Sequence, residues 1–212
     1  MWVSLFSDRY LGSPEGGGDG GDGEGEETGG GGEAGEPGYV AVRRRRGPAG
    51  SGAVTRVLGV EPSADMHEPL REKVREAGLE GVYEVVPVGI EDLAPSGRVL
   101  PESVDCIVSI LCLCGIPDPE RNIRELYGCL KPGGRWYVYE HVRCVPSQGW
   151  AMGVYQAFVN LFWPPLIGGC QLRRDTRKSL REAGPWTHVD LEVAADEPWF
   201  SICPHILGVL TK

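Results

Sequence analysis

Glu61 is the first residue of this 212-residue chain whose setting suggests chemistry. It closes the apolar run Val57-Leu58-Gly59-Val60 and is followed by Pro62 and a helical stretch. A carboxylate at the end of a strand can accept hydrogen bonds from both ribose hydroxyls of an adenosine cofactor. An acid at a helix start also complements the helix dipole with no ligand present, and both readings stand. The next apolar run ends in Gly89-Ile90-Glu91-Asp92-Leu93, where an apolar side chain and a backbone amide could hold an adenine ring. The same five residues read equally as a polar loop.

The elements that would position these residues follow from periodicity. Val54–Val60, Val82–Val88 and Val104–Leu111 are expected strands, the last almost continuously apolar, as a central parallel strand should be. Ser63 or Asp65 can cap a helix that runs to about Ala77, with Gly78 as its stop. A second helix starts at Asp118 or Pro119 and carries Ile123, Leu126, Tyr127 and Leu130 at helical spacing. Lys131-Pro132-Gly133-Gly134 ends it and delivers the chain into a strand at Arg135–Val142. Val189–Ala194 and His205–Leu210 read as a closing antiparallel pair. Alternating strands and helices at these distances give an α/β, Rossmann-like, mainly parallel sheet with flanking helices.

Composition separates an arm, residues 1–52, from a domain, residues 53–212. Residues 12–38 hold fourteen of the 32 glycines and eight acids, with no Lys or Arg. Such a segment buries too little to offset its ordering entropy, and residues 1–52 are expected to be disordered, apart from a short apolar piece at Met1–Leu11. Arg43–Arg46 follows as a solvated block that balances the acids. From Gly47 onward, 16 Lys and Arg face 21 Asp and Glu, which argues against nucleic acid as a partner. The seven cysteines are odd in number, form no Cys-x-x-Cys pair and follow no evident signal peptide, so a reducing, intracellular and cytoplasmic setting is expected. No His, Cys and carboxylate spacing suggests a metal site.

Cys144–Leu172 carries no charged side chain. Gln148, Gln156, Asn160 and Pro164-Pro165 argue against a clean membrane span. Residues 150–167 then read either as an amphipathic helix over an active-site mouth, holding an apolar substrate or resting on a membrane surface, or as an ordinary core helix.

Together, Val57–Pro62, Ser103-Val104-Asp105, Leu130–Gly134 and Glu140-His141-Val142 resemble the class I S-adenosylmethionine-dependent methyltransferases of the type 11 group. Phe162-Trp163, Gly168–Arg174 and Pro204–Gly208 resemble, within it, the methyltransferase-like proteins that include alkyl-thiol methyltransferases. The resemblance covers about residues 54–212. It implies S-adenosyl-L-methionine as cofactor and methyl transfer to a small, apolar acceptor, a thiol among the candidates. It places Glu61 at the ribose, Gly89, Ile90 and Glu91 at the adenine, and Ser109, Ile110 and Leu111 along the methionine part. His141 becomes the candidate acceptor-side base or orienter, with a structural histidine as the competing reading, and His205 shares that ambiguity.

The family also carries a strand and a Gly-rich turn before the ribose-binding acid. Gly47–Gly52 supplies glycine but follows arginines rather than an apolar strand, and leaves no room for a helix before Glu61. The first strand, the Gly-rich loop and most of the first helix are therefore expected to be missing, leaving a gap beside the central strands. That departure supports a second reading, a non-catalytic remnant of the fold that acts as a binding protein or has no independent role. A nicotinamide-dependent oxidoreductase is a third, disfavoured by Leu130–Gly134.

Overall fold

The computed structural model describes residues 2–7, 54–195 and 197–212. The rest of the expected arm, with the Gly/acid tract, Arg43–Arg46 and Gly47–Gly52, lies outside the described residues.

Seven strands form one sheet: β1 (Trp2–Ser7), β2 (Arg56–Val60), β3 (Tyr83–Val86), β4 (Val104–Ile110), β5 (Leu130–His141), β6 (His188–Val193) and β7 (His205–Thr211). Their spatial order is β3-β2-β1-β4-β5-β7-β6. β2 runs parallel to β3 and β4 parallel to β5, while β7 is antiparallel to both β5 and β6. The sheet is α/β and Rossmann-like, with the antiparallel closing pair that its last two apolar runs lead one to expect. Continuous apolar strands arise because both faces are covered. Ile107, Leu130, Trp136, Ile206 and Leu210 are completely buried at its centre.

The expected gap between β2 and β4 corrects the sequence reading. The slot is filled by β1, so six residues of the arm belong to the sheet. β1 is antiparallel to both neighbours, pairing Val3 with Val60 and Ser109, and Phe6 with Val57 and Cys106. An antiparallel strand satisfies the open edges of β2 and β4 as completely as a parallel one. Its direction changes what it can position. Ser7 lies beside Arg56, at the amino edge of the parallel strands, so the chain leaves β1 at the end opposite Glu61.

Helix α1 (His67–Glu76) is entered through a short 3-10 turn and stops at Gly78, whose φ of +66° is easily reached only without a Cβ. α2 (Ile90–Leu93) follows β3. α3 (Pro119–Cys129) buries Asn122, Ile123, Leu126 and Cys129 against the sheet. Lys131–Gly134 bulges out of the β4–β5 ladder between the Val104–Leu130 and Cys106–Arg135 pairs, and Lys131 is held on the Asp105 carboxylate at 2.8 Å. Beyond β5 come α4 (Gly149–Val159), α5 (Trp163–Leu166) and α6 (Thr176–Arg181). Among the described residues, no helix is long and apolar enough to cross a membrane.

Candidate functional site

The carboxyl ends of β2, β3 and β4 open onto a cleft of about 470 Å³. That volume falls among small-molecule sites, roughly 300–1,000 Å³. Glu61, Gly89, Ile90 and Glu91 all line it, joined by Cys112, Ile116, Ile167 and Gly168. Four of the seven residues assigned to cofactor binding from sequence therefore converge on one cavity.

Each is placed by a local backbone cause. Glu61 continues β2, its amide donating to the Val86 carbonyl at 3.1 Å. Its side chain is only 3% exposed, and Oε1 accepts the Ser63 amide at 2.8 Å. His67 lies 2.8 Å from the Glu61 carbonyl, which ties α1 to the same turn. The Glu91 carboxylate folds back over Gly89 into space that a Cβ there would occupy, so a larger residue would displace the Glu91 side chain. Ile90 is buried as the first residue of α2 and offers the cleft an apolar wall.

The remaining three are not among the lining residues. Ser109 is fully buried, and its hydroxyl accepts the Trp136 indole N–H at 2.9 Å. That bond ties Ser109 into the core. Ile110 and Leu111 are half-buried; Leu111 turns the chain out of β4 with φ +50°, and the residue that reaches the cleft is Cys112. The turn is held by Glu140, whose completely buried carboxylate accepts the Cys112 and Leu113 amides at 3.2 and 3.1 Å and the Cys112 thiol at 3.1 Å. Burial pushes the Glu140 carboxyl up to about 7 against the opposing pull of those bonds.

His141 is 2% exposed and is not among the residues that line the cleft. Nε2 lies 3.2 Å from the Gln171 carbonyl, and Nδ1 lies 3.8 Å from the Cys170 sulfur. Burial opposes its charge, yet its cysteine neighbours outweigh that and hold the imidazole up at about 10. Cys170 is pulled down to about 4 by the hydrogen bond from Cys114 and by His141, while Cys114, donating to Cys170 and buried, is raised. His205 pairs through Nδ1 with Glu197 and stacks on Tyr139, with ring centroids 5.1 Å apart.

The uncharged segment is built inside out. In α4 only Gln156 is buried, whereas Trp150, Val154, Tyr155 and Phe158 are exposed. Amide side chains hold it down. Gln148 bonds the Trp199 and Ser201 carbonyls at 3.0 and 2.7 Å, and Gln156 bonds the Cys144 amide at 3.0 Å and the Ile202 carbonyl at 2.9 Å. A second cleft, about 590 Å³, runs beneath α4 between Val142, Cys144, Trp150 and Arg173.

Comparison with known proteins agrees with this geometry. Residues 41–138 match the family described as a methyltransferase domain. The human thiol S-methyltransferase TMT1A is 34% identical over 116 residues, 54% of this chain and 46% of the relative. The rat thiol S-methyltransferase TMT1B is 32% identical over the same length and shares. The chain spans about half the length of the curated relatives it matches. Among solved structures, an S-adenosylmethionine-dependent methyltransferase from Mesorhizobium loti is 20% identical with a TM-score of 0.50, covering 74% of this chain and 81% of that one. At that identity the likeness shows the fold alone. Residues 41–138 thus match a methyltransferase domain, and the sheet order and carboxyl-edge cleft are those of a Rossmann-like methyltransferase fold.

Proposed function

We propose that the chain transfers a methyl group from S-adenosyl-L-methionine to a small, apolar acceptor, with a thiol as the first candidate. The convergence of Glu61, Gly89, Ile90 and Glu91 on one carboxyl-edge cleft carries this reading. The residues fit the nucleoside half of the cofactor. A buried carboxylate suits vicinal ribose hydroxyls, and the space kept by Gly89 lets Glu91 fold beside the apolar Ile90. When bound, the cofactor supplies a methyl group already activated on a sulfonium. The chain's part is then to hold and align: Glu61 fixes the ribose, Ile90 packs the base, and Glu140 holds the Cys112 turn against the cleft. Ile167 and Gly168 bring the uncharged segment to its wall, which favours an apolar acceptor. The likeness to thiol S-methyltransferases over half their length supports a thiol.

We also infer that the exposed Trp150, Val154, Phe158 and Leu161 rest on a membrane surface from which an apolar acceptor is drawn. The described cysteines, none of them in a disulfide, suit a reducing, intracellular compartment.

The second reading, a domain that keeps the fold without the reaction, draws on the direction of β1. A strand that leaves the sheet at the amino edge does not deliver its following residues directly to the cleft, as a parallel first strand would. Calorimetric titration with S-adenosylhomocysteine separates the two. Binding in the micromolar range, weakened at least about tenfold by Glu61→Ala, is the expected result, since one lost charge-assisted hydrogen-bond set is worth about 1.5–3 kcal/mol. No binding by folded protein overturns the methyltransferase reading in favour of the second.

A further inference from the structure

Three residues far apart in sequence bring soft ligand atoms together beside the cleft. The Cys114 and Cys170 sulfurs and a ring nitrogen of His141 all lie within 4.8 Å of one another. We propose that they form a zinc site, with Cys114 Sγ, Cys170 Sγ and His141 Nδ1 as ligands.

Both ring nitrogens lie near the Cys170 sulfur, Nδ1 at 3.8 Å and Nε2 at 4.0 Å, and only Nε2 has a carbonyl partner, that of Gln171 at 3.2 Å, which leaves Nδ1 for a metal. A histidine that binds zinc through one nitrogen characteristically donates from the other to a carbonyl or carboxylate, which fixes its tautomer. Zinc bonds of about 2.3 Å to sulfur and 2.0–2.1 Å to nitrogen separate tetrahedral ligand atoms by about 3.5–3.8 Å. The observed N–S spacing lies at the upper end of that range, so small side-chain rotations close the site. Charge also balances: two thiolates neutralise one Zn²⁺, which a site this buried requires. Cys114, His141 and Cys170 are 1%, 2% and 4% exposed. Binding releases the two thiol protons to solvent, with no change of oxidation state.

The three ligands come from the turn after β4, the end of β5 and the loop before α6. The first and third are already joined by the Gln171 amide donating to the Cys114 carbonyl at 3.0 Å. Their neighbours in sequence, Cys112, Gly115, Ile116, Ile167 and Gly168, line the cleft. A metal here would clamp two walls of the cleft to the sheet, a structural role that does not depend on the methyltransferase reading.

The test uses the full chain, purified under reducing conditions from zinc-supplemented cells. Elemental analysis and native mass spectrometry should find about one zinc per chain, falling below about a tenth in Cys114→Ser/Cys170→Ser and unchanged in Cys106→Ser. Because the double variant risks misfolding, cobalt is also loaded into the unaltered chain. Thiolate-to-cobalt charge transfer and intense tetrahedral d–d bands, weakened in His141→Ala, are expected. Folded protein without zinc, zinc retained in the double variant, cobalt spectra without thiolate bands, or a Cys114–Cys170 disulfide in the reducing preparation would each overturn the proposal.

Discussion

α3 and α4 are both 11 residues long, yet different chemistry attaches them to the rest of the molecule. α3 turns Ile123, Leu126 and Cys129 inward and presents Arg121 and Glu125 to solvent as a 2.8 Å ion pair. α4 turns one glutamine inward and several aromatic and aliphatic side chains outward. The first helix is fixed by apolar burial, a force that needs area but no particular angle. The second is fixed by directed hydrogen bonds from Gln148, Gln156 and Asn160, which need geometry but little area. A protein can thus spend a helix's apolar face on something other than its own core, provided that amides do the anchoring.

The contrast can be broken most directly at α3. Ile123→Ala removes a completely buried side chain and should cost about 2–5 kcal/mol, read as a lower urea midpoint at unchanged slope. Gln156→Leu keeps the bulk but strands the Cys144 amide and the Ile202 carbonyl, so a loss of about 1–3 kcal/mol is expected. If apolar contact held α4, that substitution would instead stabilise. The smallest effect on stability belongs to Phe158→Ser/Leu161→Ser, within about 0.5 kcal/mol for each exposed site. The same pair should markedly reduce cosedimentation with phospholipid vesicles, and unchanged cosedimentation would remove the membrane role assigned to this face.

The two helices were also unequally legible in the sequence. α3 shows in the 3.6-residue spacing of its apolar positions, bounded by Pro119 and Lys131–Gly134. The segment holding α4 is nearly uniformly apolar, and periodicity cannot say which face such a helix turns inward. The convergence of Glu61 with Gly89, Ile90 and Glu91 was readable because the first directly follows a strand, the others lie just past the end of the next, and the ends of parallel strands share one edge. The place of Ser109 was not, because it lies within a strand, where only three-dimensional packing shows that its hydroxyl accepts from Trp136. The cluster of Cys114, His141 and Cys170 left no spacing signature, since 27 and 29 positions separate its members and only the return of the chain to one sheet edge unites them. The apolar piece that holds β1 was visible at Met1–Leu11, but its pairing was not, for a related reason. Its partners begin beyond a tract with no apolar pattern, and local sequence does not encode a pairing made at that separation.

β1 has a further implication for how copies of this chain meet. Its ladder bonds are made by backbone alone, and residues 8–55 separate it from β2. The slot between β2 and β4 therefore recognises a direction and a register, not a covalent connection. The same six residues from another molecule satisfy it equally, and at high concentration the sheet is open to reciprocal strand exchange between identical partners.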